Sequence, residues 1–246
     1  MWALLPIKTL AAAKQRLSHL LNASERQGLF TAMLHDVLAV LSRQSEVEGI
    51  ILVSDDPVVA NLARRYRCEW MPETPLDAQG LNAVVQAAVS ALAQRDIDNI
   101  MVVHGDLPLL SNEALSLLIA RHRRTGNKRL TLAPDRHRQG SNCLLATPAS
   151  AFKFHYGADS CNQHLQQAAK SEFDAKVVLN TATGCDIDYP EDLIYLLEHA
   201  HGQVAQNTIN YLNEQGIAAR LDAGVSNLTP LLSLIHISEP TRRRGI

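Results

Sequence analysis

The sequence predicts an α/β protein, and three observations carry that prediction. Short apolar runs alternate with segments of helical period through most of the chain. The 246 residues are 46% apolar and 20% charged, an ordinary composition that supplies one sizeable core without disulfide or metal support. Two acidic motifs, His104-Gly105-Asp106-Leu107-Pro108-Leu109-Leu110 and Asp186-Ile187-Asp188-Tyr189-Pro190-Glu191-Asp192-Leu193, fall where apolar strands leave the sheet. Ligands of open α/β sheets bind at that edge.

Trp2–Ile7 reads as the first strand. Ser24, with Gln27 three residues on, forms a capping box that should open the next helix, and its apolar residues Leu29, Met33, Val37 and Leu41 recur at i+4 as one buried stripe. Gly49–Val53 reads as a second strand, Pro57 opens a short helix and Arg67–Met71 makes a third strand. Gly80-Leu81-Asn82 leads into a helix through Ala93 that turns Val85, Val89 and Leu92 inward. Asn99–Val103 is a strand that Pro108 keeps from continuing past Asp106. Arg129–Ala133 and Asn142–Ala146 form a strand pair joined by the polar loop Pro134–Ser141. A helix near Ser160–Ala169 follows, then Lys176–Leu179, a short strand into Asp186–Asp188, and a closing helix from Pro190. A weaker helical pattern (Ile209, Leu212) in residues 201–231 is expected to lie beyond the core as an extension cut short.

Residues 232–246 stand apart. Leu232–Arg242 reads as the translation of a sequencing-library adapter joined to a gene cut at a contig end, and the core domain is expected in residues 1–200. Leaving out this tail removes three arginines and one glutamate and moves the net charge from −2 to −4.

Several function classes drop out. Cys68, Cys143, Cys161 and Cys185 are far apart, form no C-x-x-C pair, and are expected as reduced thiols of a cytoplasmic protein. The seven residues before Lys8 are too few for the apolar core of a signal peptide, and no apolar run reaches the ~18 residues of a membrane span. The slightly acidic balance offers no basic field for nucleic acid, and Arg121, Arg123, Arg124, Lys128 and Arg129 are expected as a solvated helix end and loop. H-E-x-x-H, G-x-S-x-G, Walker and G-x-G-x-x-G patterns are all absent.

The acidic motifs carry the chemistry that remains. Two carboxylates facing each other at a sheet edge make a seat for a hard cation, and such a seat suits phosphate chemistry. Each has a plainer alternative: Asp188 as the cap of the helix at Pro190, Asp106 as a turn carboxylate bonding its own backbone. Asp186 projects to the same side as Asp188, and its part is open. Lys8, Lys14 and Arg16 follow the first strand and could clamp a triphosphate or lie solvated. The loop Ala133–Asn142 brings Arg136, Arg138, Gly140 and Ser141. Tyr156-Gly157-Ala158-Asp159-Ser160 leads into a helix N-terminus that could take an anion, with Ser160 either there or capping the helix, and His164 one turn on.

Taken in order, A-K-x-R-L after the first strand, G-L-N before a helix, D-L-P-L-L, A-P-D-x-x-x-x-G-S-N, a G-x-x-S segment and D-x-D-x-P-E-D-L resemble the 2-phospho-L-lactate guanylyltransferase family over about residues 2–200. The resemblance implies the single-domain nucleotidyltransferase (nucleotide-diphospho-sugar transferase-like) fold, with a mixed, mostly parallel sheet flanked by helices. It implies transfer of GMP from GTP to a phosphorylated three-carbon acid (2-phospho-L-lactate, phosphoenolpyruvate or 3-phosphoglycerate) in coenzyme F420 biosynthesis, and it is compatible with a homodimer. On this chain the family's Mg²⁺-binding aspartates fall on Asp106 and Asp188, its acceptor-binding positions on Ser141, Gly157 and Ser160, and its catalytic basic loop on Lys14 and Arg16. Lys8, Gly80 and Asn82 would attend the nucleotide. Gly105, Asp159 and Tyr189 depart from the family's usual Ala, Gly and Thr. Other readings are a transferase of the same fold with a sugar or molybdopterin acceptor, or a non-catalytic nucleotide-binding module. The former usually carries L-A-A-G-x-G-x-R where this chain has Leu4–Leu10.

Overall fold

The computed structural model describes residues 1–123 and 126–222. The adapter-like tail, and Arg124 of the basic cluster, lie outside the described residues. Seven strands make one sheet: β1 Trp2–Pro6, β2 Gly49–Val53, β3 Glu69–Met71, β4 Ile100–Val103, β5 Arg129–Pro134, β6 Ser141–Thr147 and β7 Asp174–Val177. Their order is β3-β2-β1-β4-β6-β5-β7. β1, β2, β3 and β4 run parallel, β6 runs against both β4 and β5, and β7 pairs parallel with β5. This is the mixed, mostly parallel sheet expected.

Strand alternation divides the core between the two faces. Leu5 of β1 and Leu52 of β2 meet one face with Leu34, Leu38 and Leu115, while Leu4, Ile51 and Val53 meet the other with Val85, Val89 and Phe152. The helices that flank the sheet are α1 Ala23–Leu41, α2 Pro57–Tyr66, α3 Leu81–Ala93, α4 Asn112–Arg123 and α5 Ser160–Lys170. After β7 come the single turn α6 Thr181–Gly184, then α7 Pro190–His199 and α8 Gln206–Glu214.

Three local expectations change. α1 is capped by Asn22, whose side chain accepts the Glu25 N–H at 2.9 Å while Glu25 accepts the Asn22 N–H at 2.8 Å. The Asn22–Glu25 box starts the helix before Ser24 and Gln27 can act as one. Residues 186–188 add no strand: both flanks of β4 are already taken by β1 and β6, so the segment crosses the end of β4 and is tied there by Ile187 N–H to the Asp106 carbonyl at 3.3 Å. Finally, α8 is not beyond the core. Leu212, Ile217 and Leu221 pack with Leu29 and Met33 of α1 and Leu193 and Leu196 of α7. The buried Asp36 carboxylate accepts Asn207 N–H at 2.9 Å, Thr208 N–H at 2.9 Å and Thr208 Oγ1–H at 2.6 Å, so α1 caps the start of α8.

Arg121, Arg123 and Lys128 are exposed, Arg123 pairing with Glu46 and Lys128 bonding the Ser171 carbonyl, while Arg129 is half-buried in β5 with a buried Nε that has no partner among the described residues. No helix among the described residues is long and apolar enough to cross a membrane.

Candidate active site

β1 and β4 are parallel neighbours, so their carboxyl ends open at the same edge of the sheet. From β1 the chain passes through Lys8 and two short 3₁₀ turns, Leu10–Ala12 and Gln15–Leu17, with Lys14 between them in the left-handed region (φ 53°). From β4 it passes into His104-Gly105-Asp106, and His104 N–H bonds the Asn142 carbonyl of β6 at 3.1 Å. Lys14 Nζ donates to Asp106 Oδ2 and, at 3.0 Å, to Asp188 Oδ1. Arg16 Nη1 donates to Asp188 Oδ2 at 2.6 Å, and its guanidinium lies 5.0 Å from the centre of the exposed Tyr189 ring. Four of the expected catalytic side chains therefore form one cluster, drawn from segments as much as 174 residues apart.

The capping alternative for Asp188 gives way, and Asp106 adds a cation to the contact with its own backbone. The turn at Pro190 is capped by Asp192, whose Oδ2 accepts the Asp188 N–H at 2.8 Å and the Tyr189 N–H at 2.7 Å, leaving the Asp188 carboxylate for the cations. Asp106 gives one oxygen to Lys14, and its other oxygen, Oδ1, is buried without a partner. Nε2 of His104 is a second buried orphan beside it.

Burial sets the electrostatics. It would by itself lower the Lys14 pKa, but the charges of Asp106 and Asp188 outweigh it and hold the ammonium above the ordinary lysine value. Burial likewise works against the Asp106 carboxylate, which Lys14 and then His104 nevertheless keep below its usual range. Asp186 goes the other way. Burial first, and the Asp106 charge second, push its carboxyl up to about 6, opposed by a 3.1 Å hydrogen bond from Asn142 Nδ2.

Among the described residues no three His, Cys, Asp or Glu side chains group closely enough to hold a metal by themselves. Asp106 and Asp188 offer oxygen donors only, and one of those oxygens is buried and unpaired. Such a donor set fits a hard cation that fills the rest of its shell with water and substrate phosphate, as Mg²⁺ does.

Two cavities open beside the cluster. One, of about 240 Å³, is lined by Lys8, Thr9, Ala12, Lys14, Phe30, Leu81, His104 and Asp106. The other, of about 310 Å³, is lined by Pro6, Lys8, Thr9, Asp55, Glu73, Gly80, Leu81 and Val84. They share Pro6, Lys8, Thr9, Ala12 and Leu81, so they adjoin. Lys8 and Gly80 thus sit where a nucleotide could lie, and Gly80 takes φ +81°, a conformation that side chains disfavour, at the start of α3. Asn82 does not join them. Its amide bonds the Tyr156 carbonyl at 2.9 Å and accepts the Tyr156 N–H, tying α3 to the segment before α5.

The expected acceptor positions form a second group. Ser141 opens β6 and Ser160 opens α5; Ser160 Oγ donates to Ser141 Oγ at 3.2 Å, and Ser160 N–H bonds the Gly157 carbonyl at 3.2 Å. Ser160 is therefore not the helix cap, a position that Asp159 holds. Both serines are 2% exposed and line neither cavity. His164 supports them: its Nε2 accepts the His155 N–H at 2.9 Å, which leaves the proton on Nδ1, 2.9 Å from Ser141 Oγ. Burial, then His155 and His104, bring its pKa down to about 3, so the ring is neutral.

Arg136 and Arg138 face elsewhere. Arg136 pairs with Asp192, lies 5.1 Å from the Tyr195 ring centre, and lines with Arg138 a separate cleft beside α6 and α7. Asp135 closes this loop by accepting the N–H groups of Gln139 and Gly140 at 2.8 and 2.9 Å. Phe30, Asp55, Glu73 and Asp192 are contributors the sequence reading missed. Only Asp192 had a local signal, an acid two residues after the helix-opening Pro190.

The mixed sheet, its strand order and its flanking helices are those of the nucleotide-diphospho-sugar transferase-like fold. A chain from Desulfovibrio desulfuricans G20 described as a nucleotide-diphospho-sugar transferase shares the fold at 15% identity with a TM-score of 0.69, covering 89% of this chain and 96% of its own. A 4-diphosphocytidyl-2C-methyl-D-erythritol synthase shares it at 13% identity and a TM-score of 0.56, over 80% and 98%. Within that class the sequence is more specific: the family described as "Guanylyl transferase CofC like" matches residues 1–228, and the chain belongs to it. Phosphoenolpyruvate guanylyltransferases of Conexibacter woesei and Roseiflexus castenholzii are 32% and 34% identical, over 80% and 84% of this chain and 87% and 92% of theirs. The 2-phospho-L-lactate guanylyltransferase of Methanosphaera stadtmanae is 26% identical over 92% of this chain and 94% of its own. The protein is a nucleotidyltransferase of guanylyltransferase type.

Proposed function

We propose that this enzyme transfers GMP from GTP to a phosphorylated three-carbon acid, releasing pyrophosphate, as a step of coenzyme F420 biosynthesis. The observation that carries the proposal is the Asp106–Lys14–Asp188–Arg16 cluster beside two adjoining cavities. More of the curated relatives named here act on phosphoenolpyruvate than on 2-phospho-L-lactate, which favours phosphoenolpyruvate as the first acceptor to try.

An oxygen of the acceptor phosphate attacks the α-phosphorus of GTP. The bond from that phosphorus to the bridging oxygen breaks, and pyrophosphate leaves with the electron pair. A phosphate monoester loses its second proton near pKa ~6, so the nucleophile is already anionic at neutral pH and needs no general base. The difficulty is the meeting of two polyanions. Lys14 and Arg16 neutralise the triphosphate, turning toward it from the carboxylates they now bridge. Asp106 and Asp188 would hold Mg²⁺, which when bound supplies positive charge to the phosphate oxygens in the transition state. Ser141, Gly157 and Ser160 are the proposed acceptor positions, with His164 fixing the Ser141 hydroxyl; the two serine hydroxyls, buried and bonded to each other, must turn toward the acceptor when it binds. Lys8 and Gly80 border the nucleotide.

The test is pyrophosphate release from GTP with each acid, in wild type and Asp188→Asn. Turnover with one acid and its near-complete loss in the folded variant is expected. A variant that turns over normally removes Asp188 from the reaction.

A further inference from the structure

The cavity farther from Asp106 and Asp188 has a chemical asymmetry that the transfer reaction does not use. Pro6, Ile7, Ala12, Leu81 and Val84 make its walls apolar, while Asp55 and Glu73 bring two carboxylates to it. Those carboxylates are not equivalent. Asp55 is engaged: its Oδ1 accepts the Thr74 N–H at 3.1 Å and its Oδ2 accepts the Thr74 hydroxyl at 2.7 Å. That contact anchors the chain immediately after Glu73 and so fixes where Glu73 stands. Glu73 itself is half-buried, and among the described residues its carboxylate has no hydrogen bond and no ion pair within 4.0 Å. Burial, and then the nearby Asp55 charge, raise its pKa against the pull of Lys8. An acceptor group in this setting, held in place and unpaired, is suited to a ligand that brings donors.

We propose that Glu73 reads the base of the nucleotide, its two oxygens accepting the N1–H and N2–H of guanine. This rests on the reading of the protein as a guanylyl transferase and deepens it by naming the residue that selects the base. The adjoining cavity holds Lys14 and Asp106, so a nucleotide with its phosphates there extends its base across the shared wall of Lys8, Thr9 and Leu81. Guanine presents two adjacent donors on its pairing edge, matched to the two oxygens of one carboxylate. Adenine and cytosine each set an acceptor beside their donor there, and uracil sets its single N–H between two carbonyls. A carboxylate therefore accepts guanine and repels the acceptors of the other three. The first turn of α3, entered through the bare backbone of Gly80, has N–H groups without intrahelical acceptors and suits the guanine O6.

The experiment compares GTP with inosine triphosphate, which lacks only the N2 amino group. Displacement of a ribose-labelled fluorescent GTP analogue gives the affinity of each, and pyrophosphate release gives kcat/KM, in wild type, Glu73→Gln and Glu73→Ala. Wild type is expected to prefer GTP by at least about tenfold, the preference falling to within about twofold of unity in both variants. GTP affinity should fall about 10–100-fold while the KM for the acid acceptor stays as it was. A loop that merely loosened would weaken both nucleotides alike and leave their ratio intact. A wild-type ratio near one, or a ratio that the substitutions leave unchanged, overturns the proposal. Because displacement needs no acceptor, Glu73-dependent preference for GTP without turnover on any acid would uphold the base reader and count against the transfer reading alone.

Discussion

Lys14→Met replaces the cation at the centre of the cluster and keeps its stem, which approaches Phe30 with Nζ 5.8 Å from the ring centre. Methionine meets the same left-handed backbone that lysine already tolerates, so the substitution isolates the charge. The Lys14 side chain is 6% exposed and holds Asp106, which is 17% exposed, and Asp188, which is 35% exposed and still has Arg16. Removing one partner of a buried pair costs about 3–5 kcal/mol, and the exposure of Asp188 places this case at about 3 kcal/mol. A chain of this length loses about 2–4 °C in Tm per kcal/mol, so the variant should melt about 6–12 °C lower in divalent-free buffer. A divalent cation can then enter a seat that Lys14 no longer fills. Saturating it at ~100 times its Kd returns about 2.7 kcal/mol, nearly the whole loss. Wild type, already neutralised by its own ammonium, should gain far less from the metal when nucleotide is absent. Thermal melting against Mg²⁺ and Mn²⁺ reads both quantities. A variant as stable as wild type without metal, or equal metal shifts in the two proteins, would refute this account of the cluster.

Other outcomes follow from the same structure. His164 is neutral in the fold with a pKa of about 3, against ~6.5 unfolded, so only the unfolded chain takes up its proton as pH falls through that window. Stability should drop by about 2 kcal/mol from this group between neutral pH and pH 5, and His164→Gln should lose that much less over the same range in urea titrations. A pH dependence unchanged by the substitution would contradict a His164 that stays neutral in the fold. Asp36→Ala removes the tertiary cap of α8 and should cost about 2–3 kcal/mol, with hydrogen exchange accelerating first in residues 206–221. A Cβ on Gly105 would stand 2.5 Å from Leu34 Cδ2, so Gly105→Ala should cost about 1–2 kcal/mol and Leu34→Val should relieve it in the double variant.

Much of this was legible in the sequence because the signals were periodic or punctuated. The apolar runs of β1, β2 and β4 and the prolines at 57 and 190 mark their elements without tertiary help. Asp106, Lys14 and Arg16 were legible as charges after strands and Asp188 as an acid before a helix-opening proline, yet their meeting depends on β1 and β4 being neighbours, which no local pattern encodes. Competition between equal signals explains the shifted cap: Asn22–Glu25 and Ser24–Gln27 have the same spacing, and only one can open the helix. Arg136 stood in the sequence as a loop cation of open role because its partner, Asp192, lies 56 residues away. α8 looked detached because the carboxylate that caps it belongs to α1. Glu73 had no signal at all, since an unpaired glutamate becomes informative only once a cavity surrounds it.

The central claim is that Asp106, Asp188 and the cations between them serve transfer of GMP to a phosphorylated acid. The most direct measurement is pyrophosphate release by the full chain with GTP and Mg²⁺, against phosphoenolpyruvate, 2-phospho-L-lactate and 3-phosphoglycerate in turn. The account predicts release with at least one acid, dependent on Mg²⁺ and nearly abolished by Asp188→Asn in a protein that still melts cooperatively. Silence with all three acids, or release that Asp188→Asn leaves intact, would contradict it.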